Sequence, residues 1–85
     1  MSVQIEWSIQ AVRRLLKLEG QDQHRILKAV NRLTHFPTTA NVKHLADHEP
    51  AFRLRVGNHR VLFAFDRTRH LVIIESVRKR DEHTY

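Results

Sequence analysis

Three closely spaced arginines are the residues of this chain best suited to chemistry. They lie in Phe52-Arg53-Leu54-Arg55-Val56-Gly57-Asn58-His59-Arg60-Val61-Leu62-Phe63. Apolar and basic residues alternate from Phe52 to Val56, the period of a half-buried strand. Gly57-Asn58 supplies a two-residue turn with glycine first, as a type II′ turn wants. That turn sets the register of a hairpin: Val56 opposite His59, Arg55 opposite Arg60, Leu54 opposite Val61 and Phe52 opposite Phe63. One face then carries Phe52, Leu54, Val56, His59, Val61 and Phe63, and the other carries Arg53, Arg55 and Arg60. Like charges placed opposite each other cost stability. Guanidinium forks gathered on one sheet face suit a phosphate, which they grip bidentately. The alternative is a solvated outer face on which the long side chains splay apart.

A fourth arginine belongs to the same reading. Leu71 to Val77 is a short, apolar, β-branched run, expected as a well-buried strand. Joined to the hairpin by the polar break Asp66 to His70, it should pair antiparallel with the hairpin's second strand. Arg60 then lies beside the end of this strand, near Ser76 to Arg78, and Arg80 emerges just beyond. Arg53, Arg55, Arg60 and Arg80 would converge, with Tyr85 able to fold back over them.

The elements that must position these residues follow from the rest of the chain. Val3, Ile5 and Trp7 alternate with polar residues as a short first strand. Ser8 is an N-cap for a helix to about Glu19, with Ile9, Val12, Leu15 and Leu16 as its buried stripe and Gly20 as its stop. Asp22 caps a second helix to about His35, buried through Ile26, Leu27, Val30 and Leu33. Phe36-Pro37 ends it, and Thr38 to Pro50 reads as a connecting loop. The expected order is β-α-α-β-β-β, an α+β fold with a small antiparallel sheet and a helical hairpin on one face, in a single domain over 1–85.

Composition narrows the function. Eighty-five residues with a 41% hydrophobic content support one small core. The chain has no cysteine, which excludes a disulfide framework and a thiol nucleophile. His44, Asp47, His48 and Glu49 share the loop, but their spacing matches no structural zinc site, so no metal is expected. No signal peptide and no membrane span are read from the sequence, and the cytoplasm is the expected compartment. The net charge of +6 favours polyanionic partners. Arg13, Arg14 and Lys17 on the first helix and Arg25 and Lys28 on the second form basic stripes, read as ordinary solvated faces unless RNA is the partner.

The stretch Val42 to Asp66 ("VKHLADHEPAFRLRVGNHRVLFAFD") and the closing Val72 to Tyr85 ("VIIESVRKRDEHTY") resemble the RelE/ParE toxin superfamily. The likeness runs over nearly the whole chain and implies the same β-α-α-β-β-β fold. RelE-type members are ribosome-dependent endoribonucleases that cut mRNA, and ParE-type members poison DNA gyrase. Both types are held inactive by an antitoxin. By position in the motif, Arg53 and Arg55 resemble the basic pair on the hairpin's first strand, and Arg60 the arginine on its second. Arg80 and Tyr85 resemble the closing arginine and tyrosine, which favours the RelE side. RelE itself has lysines on the first strand where this chain has Arg53 and Arg55.

The resemblance therefore implies a metal-independent mRNA interferase, with mRNA, the ribosome and an acidic RelB-like antitoxin as partners, the last in a hetero-oligomer. A gyrase poison and a non-catalytic RNA- or protein-binding module are the alternatives. Cleavage by the ribose 2′-hydroxyl needs a base, and arginine cannot serve because its pKa exceeds about 12. His83 or Tyr85 is the expected proton acceptor, with Arg80 stabilising charge or donating a proton. Tyr85 also offers a ring on which an unpaired base can stack.

Overall fold

The computed structural model describes residues 2–79. The elements run β1 (Gln4–Trp7), α1 (Ile9–Leu16), α2 (Gly20–Asn31), a 3-10 turn (Arg32–His35), β2 (Val42–His44), β3 (Phe52–Val56), β4 (His59–Asp66) and β5 (Leu71–Lys79). The strands form one sheet in the order β1-β5-β4-β3-β2. The expected α+β architecture is present, with two corrections. The sheet is mixed, because β1 pairs parallel with β5 while the other neighbours are antiparallel. Val42–His44, expected within a loop, pairs with β3 as an edge strand. Three residues are too few to display a period-2 alternation.

The first helix begins where its cap dictates. Ser8 accepts the backbone N–H of Ala11 at 3.0 Å, and its own Oγ donates to the Glu75 carbonyl at 3.1 Å. This cap fixes the start of α1 against β5. Gly20 opens α2 where it was expected to close the first helix. The cap of α2 is Glu19, and Asp22 lies in its first turn. A carboxylate there favours the positive end of the helix dipole. The Gln23 amide ties the two helices by donating to the Leu18 carbonyl at 2.8 Å.

The buried stripe of α1 also differs from expectation. In this eight-residue helix, Ala11 and Leu15, one turn apart, are buried. Ile9 and Leu16 are 72% and 65% exposed, and Val12 and Leu27 are exposed as well. So short a helix lays one narrow face on the sheet, and no other element among the described residues covers its remaining apolar residues.

The core lies between the helices and one sheet face. Ile26, Val30 and Leu33 pack there with Leu54, Val61, Phe63, Val72, Ile74 and Val77. Phe36 closes one end of this core edge-on to Phe52 and Phe63, with ring centroids at 5.1 and 5.5 Å. His59 faces the core as its register requires. It is 8% exposed, and its buried Nε2 meets no hydrogen-bond partner among the described residues.

The β4–β5 connection turns on Asp66. Its carboxylate accepts the Arg69 backbone N–H at 3.1 Å and the Arg69 Nε–H at 2.9 Å. These bonds, the backbone one foremost, hold its pKa below the usual carboxylate value. A depressed folded-state pKa stabilises the fold above the unfolded-state value, and this contribution is lost as pH falls through the folded-state value. Asp66→Asn is therefore expected to lower the thermal midpoint slightly at neutral pH. The difference from wild type should vanish in acid below the Asp66 transition. Paired melts at the two pH values check this.

Candidate functional site: a row of arginines across three strands

The hairpin has the register that its sequence predicts: Phe52↔Phe63, Leu54↔Val61, Arg55↔Arg60 and Val56↔His59. Gly57 takes the positive φ of 57° that the turn needs at its first central position. Leu54, Val61 and Val77 point into the core. Successive strand residues alternate faces, so Arg53, Arg55 and Arg60 share the opposite side of the sheet. The next strand contributes there too. Arg78 of β5 sits opposite Arg60, and Ser76 opposite Leu62. Two rows result, Arg55–Arg60–Arg78 and Lys43–Arg53–Leu62–Ser76, each following the cross-strand register.

A β-bulge creates the first row. Leu62 pairs with Ser76 and Phe63 with Ile74, leaving Glu75 as an extra residue in β5. Without it, Arg60 would face Val77, and Arg78 would be turned to the helix side of the sheet. The bulge is anchored, because the Glu75 carbonyl accepts the Ser8 hydroxyl. Among the described residues, the fourth arginine on this face is thus Arg78. Arg80, His83 and Tyr85 lie outside the described residues. Arg78 was within reach of sequence reasoning, since Arg60 was expected beside Ser76 to Arg78. The bulge that decides which of these shares its face leaves no pattern in the apolar run.

Arg53 is half-buried in the second row, and its Nε is buried with no hydrogen-bond partner among the described residues. Buried polar atoms are nearly always paired, so this orphaned N–H on a basic face stands out. Two clefts flank the rows. In one, of about 270 Å³, Arg55 lies with Arg25 and Lys28 of α2 and Arg32 of the 3-10 turn. Arg25 and Lys28 thereby share a cleft with Arg55, whereas Arg13 and Arg14 lie on α1, the helix packed on β5, and Lys17 at its C-cap. In the other, of about 240 Å³, Leu62, Ser76 and Arg78 lie against His48, Glu49 and Pro50 of the β2–β3 loop. That loop is pinned by a 2.7 Å contact from His48 Nδ1 to the Pro50 carbonyl.

Among the described residues, no group of three or more histidines and carboxylates is placed to hold a metal ion. No helix among them is long and apolar enough to cross a membrane. The face can bind and neutralise a multiply charged anion, and its loop cleft adds an imidazole to the guanidiniums.

Neither protein-family models nor curated proteins match the chain. Solved structures do. The toxin–antitoxin complex RelBE2 of Mycobacterium tuberculosis matches at 26% identity over 94% of this chain and 100% of that one, with a TM-score of 0.79. The isolated RelE toxin of E. coli matches at 13% identity over 95% of this chain and 87% of that one, with a TM-score of 0.80. The archaeal RelE–RelB complex of Pyrococcus horikoshii matches at 18% identity over 96% and 99% of the two chains, with a TM-score of 0.73. The chain has a RelE-like toxin fold.

Proposed function

From this RelE-like fold and the arginine face it carries, we propose that the chain is the toxin of a toxin–antitoxin pair and an endoribonuclease that cuts mRNA on the ribosome. The observation that supports it most is the Arg55–Arg60–Arg78 row beside the orphaned Nε of Arg53. In the proposed reaction a ribose 2′-hydroxyl attacks the adjacent phosphorus, and the guanidiniums neutralise charge on the pentavalent phosphate. Such preorganised electrostatic stabilisation is usually the largest single catalytic term. No metal is needed in this scheme. Arg80 would add charge from the tail, and Tyr85 would stack on an unpaired base.

Arginines alone make a poor acid–base set, so free RNA should be cut slowly. The ribosome would supply the in-line geometry, a proximity effect. Arg25, Lys28 and Arg32, in their shared cleft with Arg55, would track the RNA backbone, and Arg13, Arg14 and Lys17 would contact ribosomal RNA from α1. Binding of this kind weakens steeply with salt. The partner that silences the toxin would be an acidic, RelB-like antitoxin in a hetero-oligomer, because the solved relatives include toxin–antitoxin complexes. The place of action would be the cytoplasm, with translating ribosomes.

The test is expression of the wild type and of Arg60→Ala, Arg78→Ala and Tyr85→Ala variants without antitoxin, followed by mapping of mRNA 5′ ends. New ends within translated codons, lost in the variants, are expected. Growth arrest with intact mRNA and a DNA-damage response would point to gyrase. Normal growth would leave only a binding module.

A further inference from the structure

The arginine rows carry charge and no base, yet the proposed reaction needs one. The cleft that holds Arg78 and Ser76 also holds His48. We infer that His48, in the β2–β3 loop, is the general base that takes the 2′-hydroxyl proton. The inference rests on the ribonuclease reading above and moves the base from the tail's His83 or Tyr85 to a residue placed within the fold.

Three observations carry it. First, His48 is half-buried in the cleft that Arg78 enters, and Arg78 stands opposite Arg60. A phosphate gripped by those two arginines would lie beside that cleft. Second, the imidazole is oriented. The Pro50 carbonyl at 2.7 Å from Nδ1 can only accept, so Nδ1 carries the proton. In the neutral ring the lone pair then sits on Nε2, the tautomer a base needs, fixed by a backbone group. Third, the other titratable groups of the cleft suit the role less well. Glu49 and Glu75 are carboxylates, a side-chain class less basic than imidazole, and Arg78 is a guanidinium, which has donors and no acceptor.

The step balances. Nε2 takes the 2′ proton while the 2′ oxygen bonds to phosphorus. The bond from phosphorus to the 5′ oxygen breaks, and that oxygen takes a proton from water. The products are a 2′,3′-cyclic phosphate and a 5′-hydroxyl. The imidazolium then returns its proton to solvent.

The test measures single-turnover cleavage of mRNA on purified ribosomes by the full-length toxin. His48→Asn keeps a side-chain N–H for the Pro50 carbonyl and so keeps the loop, but it has no base. It should melt with the wild type, bind ribosomes normally and cleave about 10²–10⁴-fold more slowly, the usual weight of general base catalysis. Added imidazole should restore part of the rate to His48→Ala, which leaves room for it, and should do nothing for His83→Ala. Cleavage by His48→Asn within threefold of wild type overturns the inference. So does imidazole rescue of His83→Ala in place of His48→Ala, or an equal loss on Glu75→Gln. A wild type that cuts no mRNA on ribosomes defeats the ribonuclease reading itself, which separates the two failures.

Discussion

Replacing Arg60 by alanine is expected to slow mRNA cleavage by about 10²–10³-fold, the cost of removing one preorganised donor from a developing oxyanion. Arg60 is the middle residue of its row, opposite Arg55 on one side and Arg78 on the other. In the proposed reaction it can reach the phosphate whichever neighbour holds the second oxygen, so neither replaces it. The variant should still fold, because Arg60 lies on the sheet face away from the core, so the loss falls on activity. Arg60→Lys is a sharper probe, because it keeps the charge but loses the fork geometry. It should recover ribosome binding more fully than cleavage. Single-turnover rates and melts on the same preparations check both. A variant that cuts at the wild-type rate would reduce the row to a docking surface.

Why the row was only partly legible in the sequence is a matter of range. The Gly57-Asn58 turn fixes the register within a few residues, and the alternation from Phe52 to Val56 says which side is wet, so the hairpin and its Arg55–Arg60 pair follow from local rules. The β5 run was equally recognisable as a buried strand. Its bulge at Glu75 was not, because one unpaired residue in an apolar stretch breaks no periodicity. That residue decides whether Arg78 joins the arginines or turns away from them. The parallel pairing of β1 with β5 joins Gln4 to Leu71, a contact far apart in the chain with no local signature. The stripe of α1 misled for a different reason. Ile9, Val12 and Leu16 have the spacing of a buried face, but spacing cannot tell whether another element arrives to cover it. His48 drew notice only as a possible metal ligand, since its link to the Pro50 carbonyl and to the Arg78 cleft exists only once the loop folds onto the sheet.

Phe63→Ala is expected to be the most damaging single change to the fold, costing about 3–5 kcal/mol. The side chain is fully buried. Its ring stacks on Phe52 at a centroid distance of 5.4 Å and an interplanar angle of 17°. It also meets Phe36 edge-on at 5.5 Å and 87°. Phe36 in turn leans on Phe65 at 4.9 Å. Phe63 therefore joins rings from the end of the helical layer, from β3 and from β4, and its loss leaves a cavity whose walls belong to separate elements. Such walls close only partly, which puts the cost in the upper part of the large-to-small range. A domain of this size has about 5–15 kcal/mol in hand, so the variant should fold only marginally. Phe52→Ala, at a half-buried position on the rim of the same cluster, should cost less. Denaturant midpoints with unchanged slope measure both, and equal losses at the two positions would contradict a core centred on Phe63. The contrast with Arg60 separates scaffold from site, since Phe63 and Leu62 are adjacent in β4 yet face opposite sides of the sheet. Below its lowered melting temperature, Phe63→Ala should still present the arginine row and cut, whereas Arg60→Ala should fold and fail to cut.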